Sequence, residues 1–516
     1  MSNQQNFLET IQNGYATKGG YLLLGKAMLK GEVFPAAEVR LPLRTLNRHG
    51  LIAGATGTGK TKTLQLITES LSDKGIPVLL MDIKGDLSGL AQCGDHNPKL
   101  DERCQRMGIN FRSESYPVEL LTISNEKGAR LRATITEFGP ILLSKILELN
   151  DTQQGVVALL FKYCDDNGLP LLDIKDFKKV LLWMTNEGAD EIEQQYGKIS
   201  SATTSTILRK VIELEQQGAE LFFGERSFDV RDLLATDPTT QQGMVHIMRL
   251  IDLQDRPKLF STFMLSLLAE IYATFPEMGD AEQPKLVIFI DEAHLIFNEA
   301  SKALLDQIET IIKLIRSKGV GIFFCTQSPT DVPDAILGQL GMKIQHALRA
   351  FTAKDRKAIN LTAQNYPETP FYETENLLTE LGIGEALITV LSEKGNPTPL
   401  AQTMLCPPKS RMGTLTNEEI TDLLDQSRLV RKYNEVIDRE SAFEMLTQKV
   451  QQQQQEQIED TKANEQKTEK PKGKEKEEPS WIGSITKNPM ARQLGNTLMR
   501  EVTRGLLGVL GLKKGR

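Results

Sequence analysis

The segment Gly54-Ala55-Thr56-Gly57-Thr58-Gly59-Lys60-Thr61 constrains this 516-residue chain more than any other. It matches the pattern GxxxxGK[ST] in full, and its surroundings decide what the match means. Leu51-Ile52-Ala53 before it reads as a short buried strand. Lys62 to Ser72 after it reads as a helix with Leu64, Ile67 and Leu71 on one face. Glycines at these positions let the backbone take positive φ, so that successive N–H groups turn toward one point. The following helix directs its N-terminal partial charge at the same point. A phosphate chain satisfies both. From average residue usage, such a match arises by chance about 0.02 times in a chain of this length.

The residues expected to bind nucleotide are therefore Gly54, Ala55, Thr56, Gly57, Thr58, Gly59, Lys60, Thr61 and Thr63. Lys60 is expected on the β and γ phosphates and the Thr61 hydroxyl on Mg²⁺, which makes ATP and Mg²⁺ the cofactors. Pro77-Val78-Leu79-Leu80-Met81-Asp82 supplies a second buried strand. Strand, helix, strand at this spacing is a βαβ unit, which implies an α/β fold with a mostly parallel sheet covered on both faces.

At about 150 residues per domain, the length predicts two to four units. Residues 1–138 read as N-terminal strands, including Tyr21 to Gly25, plus the first part of the core. Residues 139–225 read as a helical insertion. Leu142, Leu143, Ile146 and Leu147 share one face there, as do Val156, Leu159, Leu160 and Tyr163, and then Phe177, Val180, Leu181 and Met184. The α/β pattern resumes over 226–445. It has strands at Met244–Met248, Leu286–Ile290, Gly321–Cys325, Met342–Leu348 and Ala386–Leu391, and helices over Lys258–Phe275 and up to Lys318. Residues 446–479, with five glutamines at 451–455 and then Lys, Glu and Pro, lack the apolar area to offset ordering entropy and read as a flexible linker. Residues 480–516 form a basic amphipathic tail, with Leu494, Leu498, Val502, Leu506 and Leu510 in one stripe and seven basic residues against Glu501. That tail suits an anionic membrane surface, a partner, or the chain's own body.

No run of ~18 apolar residues predicts a transmembrane span, and the start lacks a secretory pattern, which gives a cytoplasmic expectation. Five scattered cysteines without a CxxC pair argue against a disulfide framework or a zinc site. The net charge of −7 gives nucleic acid no support from composition, although a local basic surface stays open.

A second motif carries the chemistry. Leu286-Val287-Ile288-Phe289-Ile290-Asp291-Glu292 is a buried strand ending in two acids. Asp291 is expected on Mg²⁺, and Glu292 on the water that attacks the γ-phosphorus; the alternative is that both cap the helix that follows. His294 reads as packing or as a site contact. Gln327, after the strand Gly321–Cys325, is expected beside Asp291, where its amide could orient water. Asp82 is a candidate for metal or substrate contact, or else a turn former.

Together the phosphate loop, Asp82-Ile83-Lys84-Gly85-Asp86, Phe289 to His294 and the Thr326-Gln327 strand end resemble the HerA/FtsK superfamily of P-loop ATPases, most closely its bacterial YjgR-type, HerA-like helicase branch. The resemblance covers roughly residues 10–445. It implies a RecA-like P-loop NTPase core, a hexameric ring, and an arginine reaching in from the neighbouring subunit, for which Arg316 and Arg349 are the candidates. Only 53 residues precede Gly54, where DNA-pumping members carry a sizeable module. Two functions follow: an ATP-driven motor of HerA type on DNA or another polymer, or a regulatory or scaffolding ATPase that recruits a partner through its tail.

Overall fold

The computed structural model describes residues 3–253, 256–279, 281–298, 302–435, 437 and 439–468. Its frame is a sheet whose strands, in chain order, are β1 (Tyr21–Leu29), β2 (Glu32–Pro42), β3 (Gly50–Ala53), β4 (Val78–Asp82), β5 (Val118–Thr122) and β6 (Ala129–Arg130). They continue as β7 (Val245–Arg249), β8 (Leu286–Ile290), β9 (Val320–Thr326), β10 (Met342–Gln345), β11 (Glu385–Thr389) and β12 (Ala401–Leu405). Across the sheet the order is β2-β1-β12-β11-β10-β3-β9-β8-β4-β7-β5-β6. From β10 to β6 every neighbouring pair is parallel. From β10 to β2 every pair is antiparallel.

The central strands β3, β4, β8 and β9 are buried along their whole length. Their unbroken apolar sequences reflect cover on both faces, and the two-residue period sorts them between two cores. Leu79, Met81, Leu286 and Ile288 enter one core, and Val78, Leu80, Val287 and Phe289 the other. The phosphate-loop helix, Lys60–Ser72, joins the second core through Leu64, Ile67 and Leu71.

Between β6 and β7 the chain forms helices over Ile135–Ile146, Asp151–Asn167, Ile174–Trp183, Ala189–Tyr196 and Ser201–Gln216. Three of their starts are capping boxes: Thr134 with Glu137, Asn150 with Gln153, and Asp173 with Asp176. Phe138, Leu160, Phe177 and Leu181 share one continuous core with the sheet face and with Phe263 of the helix Pro257–Thr274.

The chain divides into two compact units, residues 1–450 and 451–516. Where the glutamine-rich composition suggests a linker from residue 446, a helix runs over Ala442–Thr468. Ala442 and Leu446 are buried in the first unit, and the side chains of 451–459 are exposed. Low apolarity excludes a core, but Gln, Glu, Lys and Ala are good intrinsic helix formers, so the composition does not exclude a helix. The basic tail 480–516 lies outside the described residues. Among the described residues no helix is long and apolar enough to cross a membrane.

Candidate nucleotide site

The phosphate loop leaves β3 between β9 and β10, and backbone bonds fix its start on both sides. Gly54 N–H donates to Thr326 O (3.2 Å) and Ala55 N–H to Ala347 O (2.8 Å). Gly54, Gly57 and Gly59 take φ of 155°, 79° and 114°. At Gly54 a side chain has no room, because a Cβ there would lie 2.5 Å from His346 Cβ. The Thr58 hydroxyl closes the turn on Ala55 O (2.7 Å). Lys60 folds back over the loop, donating to Gly54 O (2.6 Å) and Ala55 O (3.2 Å). Burial pushes its ammonium pKa down and Lys84 adds to that, against the pull of Glu292 and Asp291. Thr61 stands half-buried in the first helical turn.

Thr63 departs from expectation. Its side chain is buried, and Oγ1 lies 2.9 Å from His346 Nε2 and 3.3 Å from Gly59 O. Two residues beyond Thr61, the helix has turned by about 200° and presents Thr63 to β10 instead of the loop mouth.

The carboxylates stand one strand beyond. β9 pairs with β3 on one side and with β8 on the other, so the ends of β3 and β8 are about 10 Å apart. Asp291 N–H donates to Met81 O (3.3 Å) and Ala293 N–H to Cys325 O (2.9 Å), pinning the tip of β8 to both neighbours. Asp291 is buried, and burial raises its carboxyl to about 6 although Lys84 opposes this. Glu292 sits in the left-handed region at φ 46°. Burial pushes its pKa up, but the ion pair with Lys84 outweighs that and holds it below the usual value. Lys84 Nζ is paired with Glu292 Oε1 and lies 3.9 Å from Asp291 Oδ2. Glu292 Oε2 is buried without a hydrogen-bond partner. His294 Nδ1, 3.2 Å away, approaches it without forming a hydrogen bond.

Asp82 takes the turn-forming role. Its Oδ1 accepts Gly85 N–H (2.7 Å) and its Oδ2 accepts Leu87 N–H (3.1 Å), and burial raises its carboxyl to about 7. Gln327 is exposed at the end of β9, above a turn held by Asp331 Oδ2, which accepts from Thr326 Oγ1 (2.6 Å) and Ser328 N–H (2.9 Å). A cavity of about 690 Å³ is lined by Ala55, Thr56, His294, Gln327, Arg349 and Phe351, among others. Arg349 thus shares a cavity with the loop of its own chain. Arg316 begins the turn Arg316–Lys318 ahead of β9, at the opposite end of the parallel strands from the phosphate loop. The seven residues of β9 separate it from Gln327 by about 23 Å.

Lys84, His346 and Phe351 are the site residues that the sequence reading missed. Lys84 had a signal in the Asp-x-Lys-Gly-Asp run, and His346 in its position at the end of a strand next to the loop.

The arrangement fits a magnesium nucleotide on two counts. Three glycines open the backbone around the loop, and a buried acid beside an orphaned carboxylate oxygen stands one strand away. Fold and site define a P-loop ATPase core of the RecA-like, HerA/FtsK class. The chain belongs to the family described as Helicase HerA-like C-terminal, whose profile matches residues 28–515.

Among curated relatives, the DNA double-strand break repair helicase HerA of Sulfolobus acidocaldarius is 21% identical over 358 residues, covering 68% of this chain and 64% of that protein. The helicase of the same name from Sulfurisphaera tokodaii is 23% identical over 358 residues, with the same coverage. This chain therefore spans just under two thirds of the length of these relatives. Of solved structures, the bacterial conjugative coupling protein TrwBdeltaN70 in its unbound monoclinic form aligns with a TM-score of 0.50 at 13% identity, covering 79% of this chain and 94% of that one, a likeness of fold.

Proposed function

We propose that this chain is the ATP-hydrolysing subunit of an oligomeric motor of HerA type, with DNA as the polymer it acts on. The observation that carries the reading is the convergence of Lys60, Asp291 and Glu292 from β3 and β8 on either side of one strand. The loop amides and Lys60 bind the phosphates. Binding then replaces the bonds from Lys60 to Gly54 O and Ala55 O with bonds to charged phosphate oxygens, which satisfy a buried ammonium better than neutral carbonyls do. Thr61 and Asp291 would hold Mg²⁺, which when bound neutralises phosphate charge. Glu292 accepts the proton side of the attacking water through Oε2, the oxygen that forms no hydrogen bond within the chain. Gln327 orients that water from the end of β9, in the cavity it shares with Thr56.

A hexameric ring, with Arg316 supplied by the neighbouring subunit, completes the reading. Support comes from the distance of Arg316 from its own site and from its exposure. Five unpaired cysteines support the cytoplasm as the compartment. DNA rests on the names of the relatives and is opposed by the net charge of −7. ATPase rate with and without duplex DNA tests both parts. Magnesium-dependent turnover that DNA stimulates supports the motor; turnover indifferent to DNA returns the chain to the regulatory alternative, with its tail as the recruiting element.

A further inference from the structure

The turn after β4 delivers a lysine onto both strand-end acids. Lys84 Nζ is ion-paired with Glu292 Oε1 and stands 3.9 Å from Asp291 Oδ2. The turn is built to aim it there. Asp82 ties down Gly85 and Leu87, Gly85 takes φ 76°, and a Cβ at Gly85 would lie 2.5 Å from Ile251 Cδ1. β4 is the direct neighbour of β8, so the two tips stay in register.

We propose that Lys84 is a positioning residue that occupies the Asp291–Glu292 pair before magnesium nucleotide arrives and holds Glu292 as a weak proton acceptor until the metal displaces it. The proposal rests on the reading of 54–61 and 291–292 as the nucleotide site. An ammonium and a divalent cation repel each other, so both cannot hold Asp291 at ion-pair distance. While Lys84 is ion-paired at Glu292 Oε1, it offsets the charge of the whole carboxylate, so Oε2 is a weaker acceptor for the proton of the water. Glu292 keeps a left-handed φ, a conformation that a non-glycine residue holds only when its surroundings enforce it. The lysine is the more exposed partner, on a long flexible stem. Its side chain is 35% exposed, whereas those of Asp291 and Glu292 are 7% and 8% exposed. A second berth stands beside it: Asp86 attracts Lys84, and Asp86 Oδ1 is buried without a hydrogen-bond partner. Movement from Glu292 to Asp86 frees the base and satisfies that oxygen.

The test is Mn²⁺ binding to the full chain with ADP, read by electron paramagnetic resonance, for wild type, Lys84→Met and Lys84→Arg. Methionine keeps the apolar stem, and a melting curve checks that each variant folds. Removing the competing charge is expected to tighten Mn²⁺ binding about tenfold in Lys84→Met, a figure reduced for the lysine's exposure. Lys84→Arg, which keeps the charge, is expected to stay near wild type, and ATP turnover of Lys84→Met at limiting Mg²⁺ is expected to rise. Unchanged or weaker Mn²⁺ binding in Lys84→Met overturns the proposal while leaving the nucleotide site intact. Wild type that binds no Mn²⁺ with ADP overturns the site and the proposal together.

Discussion

His346 Nε2 lies 2.9 Å from Thr63 Oγ1, and the same ring's Nδ1 lies 2.9 Å from Glu385 O, so one imidazole ties the phosphate-loop helix to the antiparallel side of the sheet. With Nδ1–H donating to the Glu385 carbonyl, Nε2 is left to accept the Thr63 hydroxyl proton. The brace continues nearby. Gly384 N–H donates to Thr58 O (3.1 Å), and Arg103 donates to Gly384 O (2.5 Å) and Leu405 O (2.9 Å).

That brace requires a neutral ring, and burial lowers the His346 pKa to about 4. The folded value is depressed below the model-peptide value of about 6.5, so this stabilisation is present above pH ~6.5 and is lost as pH falls toward ~4. His346→Asn is expected to cost about 1–3 kcal/mol at neutral pH by leaving buried partners unmet. Its disadvantage is expected to shrink on acidification, by an amount on the order of 3 kcal/mol at most. Urea unfolding of wild type and variant at pH 7 and pH 4.5 measures both. A constant difference between the two pH values would show that the ring does not stay neutral.

Glu292→Gln is expected to keep nucleotide binding and to reduce turnover by about 10²–10⁴, the range for a lost general base. Fluorescent-nucleotide titration alongside steady-state ATPase separates the two effects. Normal turnover in this variant would assign the base to another residue.

Arg316 and Arg349 are separated by a mixing experiment. Each Arg→Ala variant is expected to lose turnover, by about 10³ or more if its guanidinium stabilises the transferring phosphoryl group. Adding Lys60→Ala subunits, which carry both arginines but a crippled loop, is expected to rescue Arg316→Ala and not Arg349→Ala. The reason is that Arg316 lies at the far end of its own β9 from the phosphate loop and Arg349 lines a cavity with that loop. Rescue of Arg349→Ala would reverse the assignment.

Gly54→Ala is expected to destabilise the chain by about 1–3 kcal/mol, since its Cβ meets His346 Cβ at 2.5 Å and its φ is 155°. Gly57→Ala meets no atom within 4 Å of its Cβ and carries only the strain of φ 79°, so chemical denaturation is expected to rank it as the milder change. An inverted ranking would mean that loop strain, not packing, dominates.

Much of the site was legible because its signals are local. A glycine loop between an apolar strand and a helix, and two acids closing an apolar run, each fit within about a dozen residues. The parallel neighbours follow from the βαβ rule, which also sets β9, the strand before Gln327, beside β8. Thr63 follows the motif in sequence, but the helix turn carries its hydroxyl to His346, a contact that only the folded chain shows. β5 and β12 were missed: Val118-Glu119-Leu120-Leu121-Thr122 and Ala401-Gln402-Thr403-Met404-Leu405 are short and show no clean alternation.

The amino-acid order by itself determined the phosphate loop, the acid pair and a covered parallel sheet, because backbone conformation and burial period are written in neighbouring residues. Only the tertiary structure decided that four antiparallel strands extend that sheet, that a lysine after β4 holds the acids of β8, and that a histidine at the end of β10 braces the loop helix. Each of these depends on which strand lies beside which, and strand order is set by packing between residues far apart in the chain.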